Sequence, residues 1–176
     1  MDNDDGSRFY YVANNVVAYG GMKNFLGVDK TWSANLIVYP DRMWGDPCAM
    51  LWGGSRNIFA NNTCLLGRST LPTLPDATQA IGLDGGTGMD PCKLDFDNAT
   101  LRATTAFLAA NTYYSQGARY AISCGNRTTN ASRGEVHNWT LAELQRGGWE
   151  LDSTVRLLSE IDAQRLAEMG RALLLQ

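Results

Sequence analysis

The chain has 176 residues, a net charge of -3 and a pI near 5.1, a scale of one domain and an acidity that excludes a phosphate-tracking nucleic-acid binder, which needs a basic surface. Hydrophobic residues make up 44% and charged residues 19%, so the chain can bury a core, yet no apolar run approaches the roughly 20 residues of a membrane span. Eighteen Gly, five Pro and many Asn and Thr force frequent turns and exclude an all-α bundle.

Taken in chain order, the acidic start Asp2, Asp4, Asp5 has the oxygen density of a calcium loop, but the ligand pattern breaks off after Gly6 with no distal Glu, so a solvated terminus is favoured. Met1 to Gly6 carries no signal-peptide pattern, and a secreted chain would then be a fragment, here a C-terminal one, or lack its true start. Four short β-rich runs follow, each behind an asparagine: Asn15-Val16-Val17-Ala18-Tyr19, Asn35-Leu36-Ile37-Val38-Tyr39, Asn62-Thr63-Cys64-Leu65-Leu66 and Asn111-Thr112-Tyr113-Tyr114. Their spacing is 20, 27 and 49 residues, which becomes a period of about 24 if one hidden rung divides the last step. Such a period predicts coils of parallel strands stacked about 4.8 Å apart, with Asn amides hydrogen-bonding along a column at a left-handed bend and aliphatic groups filling the interior. A second asparagine, as in Asn57-Ile58-Phe59, opens another strand of the same coil.

No rung is visible from Arg68 to Met89, and the stretch near 68–91 is read as an insertion; Asp46-Pro47-Cys48 recurs beyond it as Asp90-Pro91-Cys92. Gly85-Gly86-Thr87-Gly88 lacks the Gly-Lys-Ser/Thr of a phosphate loop. Residues 1–139 are thus assigned to coils and 140–176 to a helical cap. Thr140-Leu141-Ala142-Glu143 forms a capping box, Gly147-Gly148 ends that helix, and Ser159-Glu160-Ile161-Asp162 repeats the device. Ile161, Leu166, Met169 and Leu173 then line one helical face opposite Glu160, Gln164, Glu168 and Arg171. This amphipathic helix is expected to lie over the open end of the last coil.

Cys48, Cys64, Cys92 and Cys124 form no C-x-x-C pair, which argues against sulfur ligation of a metal and for two disulfides, with three pairings open, or for buried thiols. Sequons begin at Asn61, Asn98, Asn126, Asn130 and Asn138, about three times the number expected by chance from the Asn and Ser/Thr content. The pattern points to a glycosylated extracellular chain. Asn126, Asn130 and Asn138 are the freer acceptors, because Asn61 and Asn98 conflict with burial in a ladder.

With Asp4-Asp5-Gly6-Ser7, Tyr19-Gly20-Gly21-Met22-Lys23-Asn24, Gly27-Val28-Asp29, the last coil Asn111 to Gly125 and Thr140 to Gln145 with Asp152 and Ser153, the chain resembles right-handed parallel β-helix proteins. These form the pectate-lyase-like superfamily, and the likeness is strongest to eukaryotic right-handed β-helix domain proteins. It covers most of residues 4–154 outside the insertion. Leu26 and Val28 stand where such proteins often carry an acidic residue and a histidine. The resemblance implies an all-β, right-handed parallel β-helix with short C-terminal helices. It also implies an extracellular protein that binds or processes a polysaccharide on a lateral face, by lyase, hydrolase or epimerase chemistry if catalytic; the alternative is a non-catalytic structural or adhesion module.

Lyase chemistry needs a base and a positive charge beside a uronate carboxylate, roles available to Lys23, Asp29 and Lys30 between two rungs; an exposed salt-bridge cluster is the plainer explanation. Tyr19, Trp32, Trp44 and Trp52 are aromatic faces able to stack on sugar rings, or half-buried loop anchors. Asp95 and Asp97 are one acid pair with nothing to select them over Asp84 or Asp90, and His137, the lone histidine, is assigned to surface or packing. The expected partner is a glycan, with no nucleic acid, no membrane insertion and a monomeric state. No cofactor is expected, calcium at the acidic terminus being the alternative.

Overall fold

The computed structural model describes residues 2–3, 7–20, 22–25, 27–39, 48–52, 56–66, 79–84, 107–115, 121–125 and 140–175. Short runs of Val, Ile, Leu, Thr and aromatic residues become strands of two to six residues. They are β1 (Asp2–Asn3), β2 (Tyr11–Ala13), β3 (Val16–Ala18), β4 (Met22–Phe25), β5 (Thr31–Ser33), β6 (Leu36–Val38) and β7 (Ala49–Trp52). There follow β8 (Ile58–Ala60), β9 (Thr63–Leu65), β10 (Gln79–Asp84), β11 (Phe107–Ala109), β12 (Thr112–Ser115), β13 (Ala121–Gly125) and, after helix α1 (Leu141–Arg146), β14 (Thr154–Leu157); helix α2 (Ala163–Leu174) comes last.

All described strand pairs are parallel. Three sheets result, ordered β1-β4-β7-β10-β13, β11-β8-β5-β2 and β14-β12-β9-β6-β3. The chain visits them in turn, and each of the first four rounds lays one strand on each sheet beside the strand of the round before, while the last, with β13 and β14, meets the second sheet only through the Leu151–Ala109 bridge. Parallel neighbours cannot be joined by a two-residue hairpin. Here the two-residue links instead carry the chain from the second sheet to the third: Asn14-Asn15, Ala34-Asn35, Asn61-Asn62, Ala110-Asn111 and Asp152-Ser153. The first residue of each link is left-handed, with φ between 54° and 61°. That conformation costs an L-residue roughly 1–2 kcal/mol.

The second residue of the link compensates. The Asn15 N–H and Nδ2 donate to Asn35 Oδ1 at 3.1 and 3.0 Å, those of Asn35 to Asn62 Oδ1 at 3.0 and 2.9 Å, and those of Asn62 to Asn111 Oδ1 at 3.0 and 3.3 Å. The expected column is therefore present. Two details differ from the sequence reading. The left-handed residue precedes the ladder asparagine, and Asn62 bonds Asn111 directly, so the 49-residue step is a single round with no hidden rung. Nor is the 68–91 stretch empty of strands, since β10 sits between β7 and β13; the rest of that stretch lies outside the described residues.

Alternation sets the core. In the second and third sheets the second residue of each strand points inward, giving the register columns Val12-Trp32-Phe59-Leu108 and Val17-Ile37-Cys64-Tyr113-Val155. With Met22 and Cys48 they form one cluster, and Cys48 and Cys64 pair as a disulfide with Cα atoms 6.3 Å apart.

The two helices do different work. The Thr140 capping box is present, with Thr140 N–H donating to Glu143 Oε2 and Glu143 N–H to Thr140 Oγ1, and Gly147-Gly148 ends α1. Leu144 and Trp149 close over the core beside Tyr113 and Leu108. The amphipathic α2 does not cover the end, as expected from sequence, but lies along the outside of the third sheet. Ile161, Leu166, Met169 and Leu173 cover Leu36, Val38 and Leu65, and Gly170 sits against Val16. Its cap is Asp162, whose Oδ1 accepts from Arg165 N–H, rather than Ser159; Leu158–Glu160 is a separate 3-10 turn.

Candidate functional site

Of the residues proposed from sequence for chemistry, Asp29 and Lys30 sit in different surroundings. Asp29 occupies a left-handed corner on the way into β5, and Arg56 the equivalent corner before β8. The Arg56 guanidinium donates to both Asp29 oxygens, at 2.6 and 2.5 Å, and this hydrogen bonding first, then the charges of Arg56 and Arg8, hold the Asp29 carboxyl below its ordinary range despite an opposing effect of burial. Arg56 is raised in turn, chiefly by the same hydrogen bond. The pair is exposed and is a surface ion pair of little energetic weight.

Lys30, by contrast, is fully buried. A Cβ added at Gly27 would lie 2.7 Å from both Cε and Nζ of Lys30, so a glycine is needed there, and the Lys30 N–H donates to Asn57 Oδ1 at 3.1 Å. A side chain sealed in this way cannot face a groove, which corrects its assignment as an exposed catalytic or salt-bridging lysine. Lys23 lies on β4 in register with Asp2 and Met50.

The aromatic candidates divide similarly. Trp32 is only 1% exposed, stacked between Val12 and Phe59 in the core, and cannot offer a face to a ligand. Trp52 is placed on β7 opposite Phe25, and Trp44 lies outside the described residues. Tyr19 does stand out at 75% exposure, with its ring centroid 6.4 Å from that of Tyr39 at the next corner up.

Sequence reasoning missed a more extended surface. On the outer side of the second sheet, Tyr11, Thr31, Ile58 and Phe107 are in register across four strands, with Tyr11 73% and Phe107 51% exposed. Beside them runs a column of small residues, Ala13, Ser33, Ala60 and Ala109. Three strand spacings place the two rings roughly 14 Å apart. The signal was available, since each lies four residues before a ladder asparagine, on the side opposite the inward position.

Of the modification candidates, Asn61 is exposed at its corner while its neighbour Asn62 is the ladder amide, so the conflict anticipated for Asn61 is absent. Asn98, Asn126, Asn130, Asn138, Cys92, Asp4, Asp5, Asp95, Asp97 and His137 fall outside the described residues, and Cys124 is placed on β13 opposite Leu83. Among the described residues no three His, Cys, Asp or Glu side chains gather as a metal site, and no helix is long and apolar enough to cross a membrane. No family model, no characterised protein and no solved structure matches the chain.

Proposed function

We propose that the chain is a right-handed parallel β-helix of the extracellular, glycan-binding kind, and that it holds an extended polysaccharide along the outer face of its second sheet. The observation that carries this reading is the contrast between lateral faces: α2 occupies the third sheet, while the second carries a strip of small side chains beside the exposed Tyr11 and Phe107. Aromatic rings spaced along a flat parallel sheet suit the apolar faces of successive sugar rings. Binding is favoured over turnover because Asp29 is tied to Arg56 and Lys30 is buried. The disulfide and an exposed acceptor at Asn61 fit a secretory origin, with Asn61 carrying a glycan.

The test is calorimetric titration with polygalacturonate, alginate and a neutral glucan, with and without calcium, alongside unsaturated-uronate absorbance. Saturable binding to one of them, weakened about tenfold in the Tyr11→Ala/Phe107→Ala double variant, is expected, since each stacked ring contributes about 0.5–1.5 kcal/mol. Equal binding by the double variant, or none by the parent chain, contradicts the proposal. Trp32→Ala is not informative here, because it empties the core.

A further inference from the structure

Tyr19 and Tyr39 hold equivalent places in successive rounds, each directly after a strand of the third sheet, β3 or β6. The stack fixes their backbones: the Tyr19 N–H donates to Val38 O and the Tyr39 N–H to Leu65 O, both at 2.9 Å. Both residues are left-handed, with φ of 57° and 51°. A bulky aromatic residue is disfavoured at such a corner, where glycine or asparagine fits with less strain. Burial does not compensate, because Tyr19 is 75% and Tyr39 38% exposed. The fold therefore gains little from either ring. At the same place in the next two rounds stand Leu66 and Ser115, both buried, so the two phenols form a pair and not the start of a longer ladder.

The ring centroids lie 6.4 Å apart and the ring planes are inclined at 40°. That inclination gives a sugar no common plane to stack on, which separates this pair from the strip of Tyr11 and Phe107. It does leave the rings close enough to meet on side-chain rotation, and exposed side chains change rotamer within picoseconds to nanoseconds. We infer that Tyr19 and Tyr39 are an oxidative crosslinking site, at which hydrogen peroxide, acting through a haem peroxidase, joins the first two rounds by a carbon–carbon bond between the rings. The peroxidase takes one electron from each phenol, and each phenolic proton leaves to solvent. The two radicals, delocalised onto the carbons ortho to oxygen, couple there. The hydrogen on each coupled carbon then leaves as a proton while its oxygen regains one, which restores both phenols. The pair loses two hydrogen atoms in all, and one hydrogen peroxide is reduced to two waters. Holding the rings on adjacent corners makes the coupling effectively unimolecular, so in dilute solution it outruns coupling between molecules. Of the other tyrosines, Tyr113 is fully buried and Tyr114 packs against the cluster under α2.

The inference rests on corner geometry and ring exposure, not on the glycan reading, and the two fail separately. The test is treatment of the dilute whole protein with hydrogen peroxide and a haem peroxidase, followed by dityrosine fluorescence, intact mass and peptide mapping. A monomeric product lighter by two hydrogens is expected, which after reduction and trypsin yields a crosslinked peptide joining residues 9–23 and 31–42, with the bond assigned by fragmentation to Tyr19 and Tyr39. Tyr39→Phe and Tyr19→Phe, which keep the ring and remove the phenol, should each abolish that product, whereas Tyr10→Phe should leave its yield unchanged. Crosslinks only between molecules, a bond to another tyrosine, oxygen addition without a crosslink, or an undiminished product in Tyr39→Phe would overturn the inference.

Discussion

The two ends of the strand stack solve the same problem in opposite ways. At the β14 end the core is covered by Leu144 and Trp149, and the hydrogen bonds of the column run into Ser153 and the buried Glu150 carboxylate. At the β2–β3 end no described residue donates to Asn15 Oδ1, and Phe9, Tyr10, Tyr11 and Tyr19 are exposed. Inside the stack each asparagine satisfies the corner above it; at the ends that reciprocity must be replaced by something else. One end supplies the replacement from the chain's own sequence. At the other, none of the described residues supplies it.

Matched substitutions break or sharpen this contrast. Trp149→Ala should cost about 3–5 kcal/mol of unfolding free energy, because it reopens the closed end, whereas Val12→Ala at the open end should cost no more than about 1–2 kcal/mol. Urea unfolding of both variants measures the difference, and equal losses would mean that neither end is sealed. Next in size is the ladder itself. Asn62→Leu leaves its partners Asn35, Asn111 and the Trp32 and Ala60 carbonyls short of bonds in a buried setting, for a loss of about 3 kcal/mol; Asn15→Leu, bonded on one side only, should lose about 1 kcal/mol. A ladder that contributes little would show the same small loss at both positions.

The smallest effect belongs to the α1 cap. The Glu143 carboxyl is held below its ordinary value of 4.5, first by the Thr140 backbone N–H and then by the Thr140 hydroxyl. Its folded value thus lies below its unfolded one, so its contribution is complete above the unfolded value and is lost as pH falls through the folded value. Glu143→Gln should flatten the acid limb of the melting-temperature profile below about pH 4.5 without altering it near neutrality. An unchanged acid limb would contradict this assignment.

Much of this organisation was legible in the residues. Asparagines ahead of β-rich runs marked the column, because a side chain with both an acceptor and an N–H donor can bond upward and downward at once. The face of α2 was equally plain from its periodicity. Its position was not, since an apolar stripe says which side is covered and not by what; α2 lies on Leu36, Val38 and Leu65 rather than on the end. The 49-residue gap was misread because a regular period was assumed, whereas a round can lengthen between sheets without disturbing the register of Asn62 and Asn111. Ala34 and Ala110 gave no sign of a left-handed corner, as alanine has no local preference for one. Trp32 was misassigned for want of parity: counted back three from Asn35 it falls inward, and the same count places Tyr11 and Phe107 outward.

The most direct test of the stack is a nuclear Overhauser experiment on the asparagine side chains of the isotopically labelled protein. Cross-peaks from the Asn62 side-chain amide to Asn111 on one side and Asn35 on the other are expected, with Asn15 in contact with Asn35 alone. Cross-peaks from Asn62 to a residue between 85 and 106, with none to Asn111, would contradict the single-round connection and the ladder built on it.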